Sequence, residues 1–478
     1  MRNVVIAVIF LVVITVAAGL GWMAWRTAAP DDLALVGGDE ISVQDLAAAT
    51  PPAGEEETDT ADEVAADTEA DTGADPDAEA DVAESALARL REEVAFVYNW
   101  NTRLGIWRNG EDVSLGSVDA SPSPRLASAG DLIAFARDGG LWVMGIDGEQ
   151  ERLLVSQSEI EGMGNADTTA RLHRIAWLPG TSRLLFNTAL NLEMGLALSN
   201  DLHMVDVDTL DLTEILPAGA GGEFYAAPDG ATIAVIAPDR IRFVDPLGVA
   251  QRPAFLFPPV VTYSEYIYYP QVVWAQDSRA VAVVIPHPEA VVQPEQPASI
   301  YRLAAGADET TMLGQIQAGS PTYWIDPTLQ HVAYTQIDFP DADPGAEAGA
   351  EAGAEGAVPA PPTVSIVAAQ LDGTPLGTLY EGGGQFVGWS PTGEHFALAT
   401  PDGAESMQIG SLGQETLTPL AGLSHAFSHQ VAWVDTEHFV VVVADAAATT
   451  VALGNVQGEL EALMQVEAGS FTLDMAAR

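Results

Sequence analysis

Residues 130–154 read GDLIAFARDGGLWVMGIDGEQERLL: an apolar run, a polar turn, an apolar run with Trp, a glycine turn, and a last short run. Short apolar runs bounded by Gly and Asp predict β-strands and hairpins. The same order recurs seven more times between Glu93 and Leu463. An aromatic residue at the end of the opening strand marks most units: Trp177, Tyr225, Trp274, Trp324, Trp389 and Trp433. Their usual spacing, about 45–50 residues, matches the period of propeller blades.

A sheet of a few short strands cannot cover both of its own faces. Stacking such sheets in a closed ring solves this and leaves only short edges. The sequence therefore predicts an all-β protein, a single β-propeller of eight blades, with seven as the alternative count. The first unit, EVAFVYNWNTRLGIWRNGEDVSLG, lacks an opening strand. GSFTLDM at 469–475 is apolar enough to supply it and so join the C-terminus to the first blade, the alternative being a frayed tail. Two insertions break the period. TALNLEMGLALSN (188–200) lengthens the third unit, and a Gly/Ala/Glu/Pro segment over 338–362 enters the sixth, where low complexity predicts disorder.

Three stretches carry a family likeness: GWSPTGEHFALA (388–399), IAFARDGGLWVMGIDG (133–148) and YAAPDGATIAVIA (225–237). They resemble the TolB-like and dipeptidyl-peptidase-type, WD-like propeller repeats, whose pattern runs W-S-P-D-G, I-A-F, then L-W-V-M-D-x-D-G. Gly145 stands where that pattern has Asp. The resemblance covers everything after about residue 91 and implies fold, because this architecture hosts unrelated activities. The peptidases of that group carry an added α/β-hydrolase domain. The expectation here is a propeller without that catalytic half.

Ahead of the repeats the pattern changes twice. Val4 to Trp25 is nearly all apolar, enough to cross a bilayer core of about 30 Å. Its Val, Ile, Leu and Phe favour insertion by on the order of 5 kcal/mol. Trp22 and Trp25 fall where an interfacial belt would lie. A cleaved signal peptide is the alternative, but its apolar region should be only about 7–15 residues. Residues 1–29 are thus read as a single-pass transmembrane anchor. The short basic N-terminal flank favours export of the rest to the extracytoplasmic side. Residues 30–90 hold nineteen acidic residues, and no basic one precedes Arg89. So few large apolar groups cannot offset ordering entropy, and the segment reads as a disordered acidic linker. About sixty flexible residues span roughly 45 Å. SALARLREE (85–93) reads as a short helix at the threshold of the propeller, 91–478.

The formal charge is −50, and every basic residue is Arg. Nucleic-acid affinity depends on Lys and Arg neutralising phosphates, so no nucleic-acid partner is expected. With no Cys, disulfides and thiolate chemistry are excluded. No G-x-S-x-G and no Gly-rich phosphate loop is present. HAFSH places His425 and His429 four apart near His395 and His438, but the zinc-protease Glu is missing. Asp147, Asp229, Asp372 and Asp402 precede or sit beside Gly and read as turn formers. No catalytic residue, cofactor or metal site is assigned.

What remains is FLFPPVVTYSEYIYYP (255–270), which crowds aromatic residues into a connection. Aromatics are enriched at recognition surfaces. Tyr263, Tyr266, Tyr268 and Tyr269 are the candidate partner-binding residues, the alternative being that they pad blade faces. The function expected is a non-catalytic protein- or peptide-binding module tethered to the membrane. A small-ligand or glycan sensor, and then a metal-dependent propeller hydrolase or lyase, are the other readings.

Overall fold

The LIAFA run lies in the second strand of a four-stranded antiparallel sheet, and both of its faces are buried. Ile133 and Phe135 share one core with Val97, Leu104 and Ile106 of the sheet before it. Ala134 and Ala136 share another with Leu184 and Phe186 of the sheet after it. Successive side chains of a strand point to opposite faces, so one run serves two neighbours.

The computed structural model describes residues 87–478 except 166, 193–194, 262–266, 294, 318–321, 339–361, 401–406, 421–427 and 476–478. Among the described residues the strands form eight sheets: six are four-stranded antiparallel meanders in chain order, one carries a fifth strand, and one is completed by the last strand of the chain. The protein is an eight-bladed β-propeller. The first strands of blades 2 to 8 are Arg125–Leu126, Ala170–Trp177, Glu223–Ala226, Val272–Trp274, Tyr323–Ile325, Gln385–Trp389 and Ser428–Trp433. Several neighbouring first strands pass beside one another, which places them nearest the axis. Every aromatic marker read from the repeat stands in one of these strands.

Eight hydrophobic cores fill the eight interfaces. Bulky residues of one second strand face small ones of the blade before. Val332 and Tyr334 share a core with Ala282 and Val284, and Phe396 and Leu398 share one with Ala333. Phe439, Val441 and Val443 likewise meet Ala397 and Ala399. Large against small lets the faces interdigitate at interior density. Two glycines permit a similar fit inside a blade. Gly105 is paired with Tyr98, and a Cβ there would come within 2.2 Å of the ring; Gly410 stands in the same relation to Phe396.

Indole N–H groups tie first strands together. Trp177 Nε1 donates to the Arg125 carbonyl (3.1 Å), Trp274 to Tyr225 (2.9 Å) and Trp389 to Trp324 (2.7 Å). In each pair the acceptor lies one blade earlier, next to the last residue of its first strand.

Closure is by the C-terminus. Phe471–Met475 pairs antiparallel with Phe96–Trp100 and becomes the first strand of blade 1. Phe471 stacks on Tyr98 at 5.1 Å. Asp474 accepts from Arg125 Nη1 and the Leu126 amide, both at 2.8 Å. Gln430 of blade 8 donates to and accepts from the Leu473 backbone. The closing strand is thus pinned to both neighbours. A helix over 87–93 covers the same seam, with Leu87 and Val94 in its core and Arg91 paired to Glu461 at 2.9 Å.

The 188–200 insertion lengthens Arg183–Leu192 and adds Gly195–Leu198 as a fifth strand of blade 3. In blade 6, His331–Asp338 and Thr363–Gln370 pair up to Asp338 and Thr363, and 339–361 lies outside the described residues. Among the described residues no helix is long and apolar enough to cross a membrane. The anchor and linker assigned to 1–29 and 30–90 fall outside them up to residue 86.

Deleting residues 470–478 removes the closing strand and bares the cores of two interfaces. We expect a loss of stability larger than that of one large-to-small core substitution, about 2–5 kcal/mol. Urea unfolding of the full chain and the truncated chain reads it. An unchanged midpoint would contradict closure by this strand.

Candidate functional site

One face of the ring carries the connections that lead from each blade to the next, together with the loops between second and third strands. On that face the long connection 257–271 enters blade 5, and the Val261 amide donates to the Pro288 carbonyl of a neighbouring loop (2.7 Å). Val261, Ile267 and Val292 remain exposed there, Ile267 at 62%. Contiguous exposed apolar side chains mark interaction surfaces, whereas singly scattered ones do not.

Tyr268 and Tyr269 turn the other way, into a hollow beside the axis. It has a volume of about 300 Å³ and is bounded by Tyr268, Tyr269, Tyr323, Trp324, Trp389 and Gly388, with Gln271 and Thr322 as polar neighbours. Blades 5, 6 and 7 thus contribute to one wall. Burial, and then the nearby Tyr225 hydroxyl, push the Tyr268 phenol above its ordinary value; burial and then Tyr268 do the same to Tyr323. Both stay protonated at neutral pH and can donate or accept one hydrogen bond. Tyr269 donates to Asn200 Oδ1 at 3.1 Å, which fixes the connection to blade 3. Tyr263 and Tyr266 lie outside the described residues.

A charged cluster borders the aromatic wall. Glu223 Oε1 meets His173 Nε2 at 2.9 Å, and Glu223 Oε2 accepts from Arg174 Nη1 at 3.2 Å. The Arg174 guanidinium lies 4.6 Å from the Tyr225 ring centre. Burial alone would raise the Glu223 carboxyl, but His173 and Arg174 outweigh it and hold it below its ordinary value.

Elsewhere polar groups serve the fold. In blade 3, buried Asp201 accepts from the Thr188 amide (2.8 Å) and hydroxyl (2.6 Å) and meets His203 Nε2 at 3.2 Å. Ser199 Oγ accepts from the Thr188 hydroxyl at 2.7 Å. His395 Nδ1 is bonded to Ser411 Oγ and His438 Nδ1 to Asp435, in different blades. His425 lies outside the described residues. Among the described residues no group of three or more His, Asp or Glu is placed to hold a metal ion. Asp147, Asp229 and Asp372 each accept from the backbone two residues on, as turn formers do; Asp402 is not among the described residues.

The sequence singled out the tyrosine connection but not Tyr323, Trp324, Trp389 or Gly388 as its partners. Their signal was the blade-opening motif, which reads as packing. Neither His173 nor the Glu223–Arg174 pair carried any signal in sequence, because the partners are about fifty residues apart.

No family model and no curated protein matches the chain. Solved structures do share its architecture. It resembles a eukaryotic initiation factor at 12% identity, over 79% of this chain and 85% of that one, with a TM-score of 0.46. Against the dihydro-heme d1 dehydrogenase NirN the figures are 12%, 80%, 74% and 0.48. Against TolB from Acinetobacter baumannii they are 10%, 81%, 67% and 0.35. Such likenesses concern the fold alone.

The Glu223 cluster sets a pH dependence. A carboxyl held below its unfolded value adds stability that is complete above about 4.5 and is lost as pH falls through the folded value. Glu223→Gln should lower stability at pH 7 by about 1–2 kcal/mol. Its deficit against the parent should shrink between pH 4.5 and 3 in chemical denaturation. A deficit that does not vary with pH would reject the ionic role.

Proposed function

We propose that this chain is a membrane-tethered propeller whose connection-bearing face binds a protein or peptide outside the membrane, without catalysis. The observation that carries the reading is the connection into blade 5. It leaves Val261 and Ile267 in solvent, on the face that also exposes Val292, while Tyr268 and Tyr269 line the aromatic hollow. Apolar anchors next to an aromatic recess are the arrangement in which interface energy concentrates. The apolar stretch from Val4 to Trp25 and the acidic run after it support a tether that lifts the ring off a bilayer. A second reading, a small-ligand or glycan sensor, draws on the same hollow, whose volume sits at the lower end for small-molecule sites.

Two measurements test the proposal. In intact cells, protease added outside should degrade the propeller while the protein stays with alkali-washed membranes. Intracellular protection would overturn the orientation. Chemical cross-linking in the same cells should trap a defined partner. Ile267→Asp with Val292→Asp should cut its recovery at least tenfold at an unchanged unfolding midpoint. Undiminished recovery would reject this face as the contact.

A further inference from the structure

We propose that the hollow formed by blades 5, 6 and 7 receives the cationic end of an Arg or Lys side chain presented by the partner. This rests on the binding reading above and names the chemistry of the group that enters.

Three observations converge on it. The first is the wall. Tyr268, Tyr323, Trp324 and Trp389 bound the space, and among the described residues no charged side chain does. Aromatic faces attract cations through their quadrupole and need no carboxylate to do so. The fold already uses the same contact inside itself: Arg137 lies 4.8 Å from the Trp142 ring centre and Arg174 lies 4.6 Å from Tyr225. Tyr268 and Tyr323 keep their phenolic protons, and their oxygens can accept from a guanidinium or ammonium N–H.

The second observation is the field. From residue 87 onward the chain carries 49 acidic residues against 16 Arg. That charge draws cations toward any opening and repels phosphate and carboxylate groups. An anionic occupant is therefore disfavoured, and a cationic one is preferred over a neutral one of equal shape.

The third is Gly388. The residue before the last of each first strand is Arg125 in blade 2, Ala176 in blade 3, Tyr225 in blade 4, Val273 in blade 5, Trp324 in blade 6 and Ala432 in blade 8. Val273, Trp324 and Gly388 all border the hollow, so this position faces it. In blade 7 it alone is glycine, and a Cβ placed there would meet nothing within 4 Å. The space persists because a side chain is missing from one place in the repeat. At about 300 Å³ it suits a single side chain better than a cofactor.

The test uses the full chain in detergent micelles, titrated with acetyl-Gly-Arg-Gly-amide and its Lys counterpart and followed by tryptophan fluorescence. The controls are the citrulline and Glu versions and glucose. Saturable binding of the Arg or Lys peptide is expected, at least tenfold tighter than citrulline, the neutral isostere. Gly388→Leu should abolish it by filling the space while the unfolding midpoint holds. Should that variant misfold, Tyr268→Leu in the connection should weaken binding tenfold and Tyr268→Phe should retain it. Citrulline binding as well as Arg, glucose binding in place of either, no binding of either cationic peptide, or full binding by Gly388→Leu or Tyr268→Leu would overturn the proposal. Cross-linking separates the two readings. Recovery lost with the Ile267 and Val292 variant but kept with Gly388→Leu leaves the contact face standing and removes its cationic anchor. Recovery kept with both removes the face as well.

Discussion

No blade of this molecule can exist alone, because each second strand is buried on both faces and supplies only one side of each core. Ile133 and Phe135 look back to blade 1 while Ala134 and Ala136 look forward to blade 3. The dependence runs around the ring until blade 8, where Val440 and Val442 need Phe96 and Tyr98. The last interface exists only because Phe471–Met475 crosses back to blade 1. Stability is therefore collective, and the hollow between blades 5, 6 and 7 has its shape only while the circle is closed.

Charge follows from that architecture. The buried faces are apolar, so nearly all carboxylates stand outside, and few cations are present to offset them. Among the described residues eight Arg are held in ion pairs with carboxylates. Arg252 is itself buried, bonded to the Ala304 and Glu309 carbonyls at 2.9 Å and to Asp308 at 3.1 Å. Cations committed to structure leave the outer field strongly negative. Surface pairs of this sort add little stability, but they remove positive charge that an anionic partner would need.

How much of this could be read in the chain depends on the range of the interaction. Blade number, strand order and the closing segment were legible because the alternation IAFA, IAVIA, VAVV and FALA states both faces of a strand within five residues. The seven-blade count and the frayed tail fall with the pairing of Phe471–Met475. The aromatic markers were legible as markers. That their indole N–H groups bridge to the preceding blade was not, since Trp389 and the Trp324 carbonyl are 65 residues apart. The tyrosine connection shows the same boundary. Local sequence announces a crowd of rings, but whether a ring stands in solvent or turns inward depends on blades 6 and 7, which the local pattern does not contain. Ile267 went outward and Tyr268 and Tyr269 inward, within three consecutive residues.

In a repeat protein, uniform positions serve the ring, and the exceptions are where something else can be served. The first strands offer one such position per blade, and in the other seven it holds Asp, Arg, Ala, Tyr, Val or Trp. At Gly388 packing asks for none, and the space is left beside two indoles and three phenols that packing alone does not require to meet. The long connection into blade 5 is a second departure, and it reaches the same hollow. Two independent breaks in one regular pattern, converging on one space, are what distinguish this region from the other six interfaces.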